Sequence, residues 1–145
     1  MGEIVYVTIE QTIETHRLTV KKSGGGSYGH LDTGKLKSVL MHIQNDDYYP
    51  EMEDKLTHLF WGCCKFHSFT DGNKRIALSL STQFLLLNGY VFIANDFMKV
   101  MENISYHVAA GKIDKELLRE IIESIFEGDF ESESIKLKIL NAITS

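Results

Sequence analysis

An all-α fold is what this sequence predicts, on three observations. Apolar residues recur at three- and four-residue spacings through most of the chain, glycine or Asn-Gly punctuates those runs, and one proline occurs in 145 residues. That length suits a single domain spanning 1–145. With 43% apolar and 24% charged residues, the composition is that of a soluble globular protein and excludes wholesale disorder or a collagen-like repeat. The apolar run Phe84–Leu87 is cut by Asn88, far short of the roughly 20 residues that cross a bilayer, so no membrane partner is expected. Met1–Thr8 has neither a basic n-region nor an apolar h-region, which points to the cytoplasm. A formal charge of −5 argues against nucleic acid as a partner. Cys63 and Cys64 are sequence neighbours on a predicted helix and cannot bridge without strain, so a disulfide scaffold is excluded.

The elements follow in order. Thr8 and Gln11 have capping-box spacing, and Ile9, Ile13 and Val20 recur near helical period, giving a helix from 8 to about 22. Ser23–Gly34, with five glycines, reads as a surface loop, after which Asp32 or Thr33 caps a helix striped by Leu36, Val39, Leu40 and Ile43. Asn45-Asp46-Asp47 is its exit. Pro50 suits the first turn of a third helix that buries Met52, Leu56, Leu59, Phe60 and Cys63. A fourth helix carries Ile76, Leu80, Phe84 and Leu87 on one face, beside Ala77, and is closed by Asn88-Gly89. Tyr90–Ile93 reads as a brief extended segment. Asn95 or Asp96 then caps a helix bearing Phe97, Val100, Met101, Ile104 and Val108, ended by Gly111. Asp114 caps the next, striped by Leu117, Leu118, Ile121, Ile122 and Ile125. After Glu127-Gly128-Asp129 a last helix uses Ile135, Ile139 and Ile143.

One segment demands a chemical explanation: His67-Ser68-Phe69-Thr70-Asp71-Gly72-Asn73-Lys74-Arg75, at the start of the fourth helix. Unpaired first-turn amides and the positive end of the helix dipole favour an anion there. Gly72 lets a phosphate chain approach the backbone, Asn73 and Lys74 add donors, and Arg75 offers a planar fork matched to phosphate oxygens. Asp71 is placed to hold Mg²⁺, which on nucleotides needs only one or two carboxylates beside phosphate and water. His67, with its near-neutral pKa, is the natural general base. Phe69 is read as a buried plug. The other histidines, His16, His30, His42, His58 and His107, lack zinc-ligand spacings and are assigned to helix faces, and Trp61 and the methionines to the core.

These residues resemble the Fic/Doc family, whose motif is His-x-Phe-x-(Asp/Glu)-Gly-Asn-(Gly/Lys)-Arg. Seven positions agree: His67, Phe69, Asp71, Gly72, Asn73, Lys74 and Arg75. The similarity runs from the helix with His16 to Asn88-Gly89-Tyr90 and thins after Ile93. It implies a Fic/Doc-like helical bundle around a central motif-bearing helix that begins at Gly72 or Asn73. It further implies a Mg-ATP-dependent transferase in which His67 deprotonates a target hydroxyl, Asp71 ligates Mg²⁺ and Gly72, Asn73, Lys74 and Arg75 bind the nucleotide phosphates. Lys74, where AMP-transferring members carry glycine, and Leu78, where they carry a second arginine, resemble the Doc toxins, which are protein kinases. Gly72 resembles Fic enzymes, where Doc has alanine, and Ser68 replaces a frequent proline. The leading expectation is phosphorylation of a Ser, Thr or Tyr hydroxyl on a cytoplasmic protein. AMP transfer is the alternative, and a non-catalytic binding module the third reading.

Many members carry an inhibitory Ser/Thr-x-x-x-Glu-Gly/Asn helix. The nearest match, Glu127-Gly128, has Glu123 where Ser or Thr belongs. The expected inhibitor is therefore a separate antitoxin-like protein with an acidic segment that blocks Arg75.

Overall fold

The computed structural model describes residues 3–22, 33–65 and 73–145. Among them it contains seven α-helices and no strand, the all-α class expected. The helices are α1 (Ile9–Lys22), α2 (Thr33–His42), α3 (Met52–Lys65), α4 (Asn73–Leu87), α5 (Val91–Ala109), α6 (Lys115–Phe126) and α7 (Glu133–Thr144). α3 packs against α2, α4, α5 and α6, and α4 against α1, α3 and α5, so these two form the centre. α7 rests on α6. No helix among the described residues is long and apolar enough to cross a membrane.

Local chemistry sets most helix ends. Thr8 and Gln11 form a reciprocal box: Gln11 N–H donates to Thr8 Oγ1 at 3.1 Å and Thr8 N–H to Gln11 Oε1 at 2.9 Å. Asp114 Oδ1 accepts from Leu117 N at 2.8 Å, and Ser132 caps α7 through Ile135 N. At the end of α4, Gly89 has φ +84°. That left-handed residue lets Tyr90 N–H reach Leu85 O and Gly89 N–H reach Leu86 O, closing two orphan carbonyls. Gly111, φ +81°, ends α5 by the same pair of bonds, to Val108 and His107.

Five expectations are corrected. Pro50 lies before α3 rather than in its first turn; Asp54 Oδ2 accepts from Glu51 N at 3.0 Å and starts the helix two residues later. Tyr90–Ile93 is not extended: α5 begins at Val91, with Ala94 N–H donating to Tyr90 O at 2.9 Å. Asn95 and Asp96 are therefore interior, exposed positions of α5 and not caps. The β-branched Val91 and Ile93 are overridden because Ala94 and Phe97 continue the buried α5 stripe through Met101, Ile104 and Val108. On α1, Ile13 is exposed and Thr12 is buried in its place, its hydroxyl satisfied by Thr8 O at 2.9 Å. On α4, Leu87 is exposed while Leu85 is buried. Asp32 and the 23–32 part of the expected loop lie outside the described residues, as do the His16 and Val20 side chains, and Thr33 and Gly34 belong to α2.

The N-terminal segment is tied to the end of α4. Asn88 accepts from Val5 N at 2.8 Å and donates to Val5 O at 2.9 Å, a pairing equivalent to one rung of a sheet. Tyr6 then stacks on Phe84, centroids 5.9 Å apart. Lys55, fully buried on α3, donates to Ile43 O and Asp46 Oδ1, each at 2.7 Å, and so pins the α2–α3 turn. Burial alone would lower its pKa, but the hydrogen bonds to Asp46 and Tyr6 outweigh that and raise it.

Candidate active site

The motif segment joins the two central helices. α3 is buried on most of its circumference, with Leu56, Leu59, Phe60, Cys63 and Cys64 all in the core. It therefore delivers the chain to residue 65 along a fixed axis. Cys63 and Cys64 are both buried and neither is in a disulfide; burial, with Cys64 alongside, pushes the Cys63 thiol far up, and its sulfur is inert as a nucleophile. Near this end Lys65 Nζ lies over the Trp61 ring, 5.2 Å from its centroid.

α4 opens at Asn73, the position expected for the central helix. Its first turn contains Asn73, Lys74 and Arg75 and no acidic residue, so no carboxylate on that turn competes for the amides or the dipole. Arg75 is exposed, and Ile76, Ala77 and Leu80, directly behind it, have zero exposure. A cation at the head of a helix buried this soon is held on a rigid base, the arrangement that positions an anion contact well. The structure thus brings Asn73, Lys74 and Arg75 together on one turn. His67, Phe69, Asp71 and Gly72 lie outside the described residues, as do the Asn73 and Lys74 side chains. Among the described residues no three His, Cys, Asp or Glu side chains converge on a metal position.

Glu127-Gly128 follows the C-terminus of α6, where Phe126 packs against Tyr90 with ring centroids 5.5 Å apart. Tyr90 directly follows the C-terminal turn of α4, whereas Arg75 heads that helix. Twelve residues of helix, roughly 18 Å, separate the two ends.

A polar cluster away from the motif escaped the sequence reading. His58 is buried, not on an open helix face. Its Nδ1 lies 2.8 Å from Lys115 Nζ and 3.3 Å from the Tyr49 hydroxyl, and its Nε2 lies 3.3 Å from His42 Nδ1. Because an ammonium only donates, Nδ1 accepts, the ring proton sits on Nε2 and is given to His42. Burial first, then Lys115 and His42, push the His58 pKa down to about 4, and burial lowers that of Lys115. No local pattern marked it, because its partners come from other segments of the chain. Among the methionines, Met52 and Met101 are core as expected, but Met41 and Met98 are exposed, and Trp61 is half-buried.

A family model described as the Fic/DOC family matches residues 6–85, from the N-terminal segment through most of α4 and across the whole motif. Comparison with curated proteins gives no match. Fic/Doc proteins are in general nucleotide-dependent transferases that modify proteins. With more than half of its length matched by that model and an all-α bundle built around the helix that begins at Asn73, the chain belongs to the Fic/Doc family.

Proposed function

We propose that the protein transfers the γ-phosphate of ATP to a hydroxyl of a Ser, Thr or Tyr side chain on a target protein. The observation that carries this reading is the head of α4: a helix start with no carboxylate in its first turn, bearing Asn73, Lys74 and Arg75. Such a turn suits a polyphosphate through its first-turn amides, its dipole and its cations together. Lys74 and Leu78 favour the γ-phosphate, because the tail loses the second arginine contact of AMP-transferring members and gains an ammonium beside the first. Gly72 favours the alternative, AMP transfer from the α-phosphate.

His67 takes the proton of the attacking hydroxyl as its oxygen bonds to phosphorus, and ADP leaves. Arg75 holds phosphate oxygens through charge-assisted hydrogen bonds before and during that step. Asp71 is the residue that would hold Mg²⁺, and a donor set of one carboxylate plus phosphate oxygens suits that ion's preference for oxygen and retained water. Bound there, the ion would neutralise phosphate charge. A separate antitoxin-like protein presenting a carboxylate to Arg75 is the expected inhibitor, since the Glu127-Gly128 pair sits at the other end of α4.

The test is incubation of the purified protein with Mg²⁺, target extract and ATP labelled at either the α- or the γ-phosphate, with His67→Ala as control. Label arriving from the γ-position alone, and lost in the variant, is the expected result. Label from the α-position shows AMP transfer instead, and no label from either position removes the transferase reading.

A further inference from the structure

Lys115 holds its amine in a setting that works against its charge. It occupies the first turn of α6, directly after the Asp114 cap, at the positive end of that helix dipole. Lys55, Lys136 and Lys138 each meet a carboxylate oxygen at 2.6–2.7 Å. Lys115 meets none among the described residues; its hydrogen bond goes to the neutral His58 Nδ1 at 2.8 Å. Burial lowers its pKa, and the dipole and the missing counter-ion act in the same sense. More of this amine than of an ordinary lysine is therefore neutral and nucleophilic near neutral pH.

The groups around the amine are those a nucleophile needs. His58 is itself oriented from behind, its Nε2 proton given to His42 Nδ1 at 3.3 Å, so the amine, the group that holds it and a third group that orients the holder stand in line. The Tyr49 hydroxyl lies 3.3 Å from the same His58 nitrogen as Lys115, which brings a proton donor beside the amine. Lys115 and Tyr49 both line an open hollow of about 300 Å³, whose other walls include Tyr48, Asp54, Glu116 and Arg119. Two cations and two carboxylates balance there, and Arg119 already holds Asp54 at 2.8 Å. A reactant with a net charge of either sign gains little, whereas an uncharged one bearing hydroxyl groups finds both donors and acceptors. Tyr48, 78% exposed, adds an aromatic wall. None of these residues belongs to the motif.

We propose that Lys115 is a nucleophilic amine that condenses with a small, uncharged, hydroxylated aldehyde to form a Schiff base, with Tyr49 as the proton donor. The nitrogen lone pair adds to the carbonyl carbon, and one amine proton passes to the carbonyl oxygen. The C–O bond then breaks as the Tyr49 phenol protonates the departing hydroxyl, and the second amine proton restores the phenol. The products are the imine and one water, so no further reactant is needed. His58 stays neutral throughout and serves to position the amine.

Reductive trapping tests this on the full chain. The protein is incubated near neutral pH with glyceraldehyde and cyanoborohydride, cut with chymotrypsin, and the initial rate at each lysine is read by mass spectrometry. Lys115 should be modified about tenfold or more faster than Lys136 and Lys138, and the advantage should vanish in concentrated urea. Tyr49→Phe, with parental helicity by circular dichroism, should slow Lys115 about tenfold or more and leave Lys136 and Lys138 unchanged. Propanal, which lacks the hydroxyls, should show a smaller preference for Lys115. Label spread evenly over the lysines of the folded protein overturns the proposal. So does an advantage that persists in urea, which would belong to the local sequence and not to the site. An unchanged rate in Tyr49→Phe removes the proton donor, and an equal preference with propanal overturns the ligand class.

Discussion

Lys115 donates to Nδ1 of His58 at 2.8 Å, so a half-buried cation on α6 rests on a neutral imidazole of α3 and not on a carboxylate. Tyr49 reinforces the arrangement from the α2–α3 connection, its ring 4.6 Å from the His58 ring and 5.7 Å from Lys115 Nζ. His42, on the last turn of α2, receives the remaining ring proton. Four segments are thus joined by a chain of hydrogen bonds that works only while His58 is uncharged. A second proton on the ring would remove the acceptor that Lys115 uses and place two cations at contact distance.

The acid dependence of stability should reveal this. In the unfolded chain His58 titrates near 6.5 and in the fold at about 4. Between those values the unfolded chain binds the extra proton and the native one does not. The contribution of His58 is therefore fully present above pH 6.5 and is lost as pH falls toward 4. Thermal midpoints at pH 7, 6 and 5 should decline, and His58→Gln, whose amide can still accept from Lys115, should decline less steeply. Parallel curves for the parent and the variant would show that His58 does not govern this window.

Lys55 offers a sharper electrostatic experiment. Its ammonium is fully buried, whereas its partner carboxylate on Asp46 is 76% exposed. Asp46→Ala leaves a buried charge with only Ile43 O and Tyr6 beside it and should cost roughly 2 kcal/mol, below the ~3–5 kcal/mol of a wholly buried pair because water reaches the Asp46 side. Asp46→Asn should cost less than half as much, since the amide oxygen still accepts. The double variant Lys55→Met/Asp46→Ala should be more stable than Asp46→Ala alone, because the unpaired cation is gone. Urea unfolding of the four proteins measures these differences, and a double variant at or below Asp46→Ala contradicts the argument.

Ser81 is fully buried in α4 and its hydroxyl has no hydrogen-bond partner among the described residues. A buried hydroxyl without a partner carries its desolvation cost unrelieved, and alanine is the better helix former. Ser81→Ala should raise unfolding free energy by about 0.5–1.5 kcal/mol, measured by urea titration. A loss of stability would mean that the small oxygen fills space the methyl leaves empty.

What the sequence made legible follows from the range of the forces involved. Helix ends set by local bonds, Thr8 with Gln11, Asp114 with Leu117 and the left-handed glycines, could be read directly because every participant lies within a few residues. The start of α4 at Asn73 was legible for the same reason. Val91–Ile93 was not: its local preference is extended, and only burial of Ala94 and Phe97 against neighbouring helices decides for helix. The phase of α1 failed likewise, because Thr12 is buried only when its hydroxyl bonds back to Thr8. His58 was invisible because its partners, His42, Tyr49 and Lys115, come from three other segments. The candidate site divides along the chain: Arg75 is placed by structure, while His67 and Asp71 rest on the motif.

The chemistry assigned to the motif predicts that two of its residues separate kinetically. In the proposed reaction His67 acts only on the proton of the incoming hydroxyl, a contribution of roughly a hundred- to ten-thousand-fold in rate, and is assigned no contact with phosphate in the ground state. His67→Ala should therefore lower transfer by that factor and leave ATP affinity unchanged. In the same proposal Arg75 holds the nucleotide before reaction through hydrogen bonds to charged oxygens, worth about 1.5–3 kcal/mol, so Arg75→Ala should weaken ATP binding about tenfold or more. The fold should survive, because Arg75 is exposed and the buried contacts of α4 begin at Ile76. Asp71→Ala should blunt the Mg²⁺ dependence of whatever transfer remains. Titration with a fluorescent ATP analogue and single-turnover transfer measure the two quantities independently. A His67→Ala protein that modifies its target at the parental rate would remove the base from the mechanism and leave the head of α4 as a nucleotide-binding site alone.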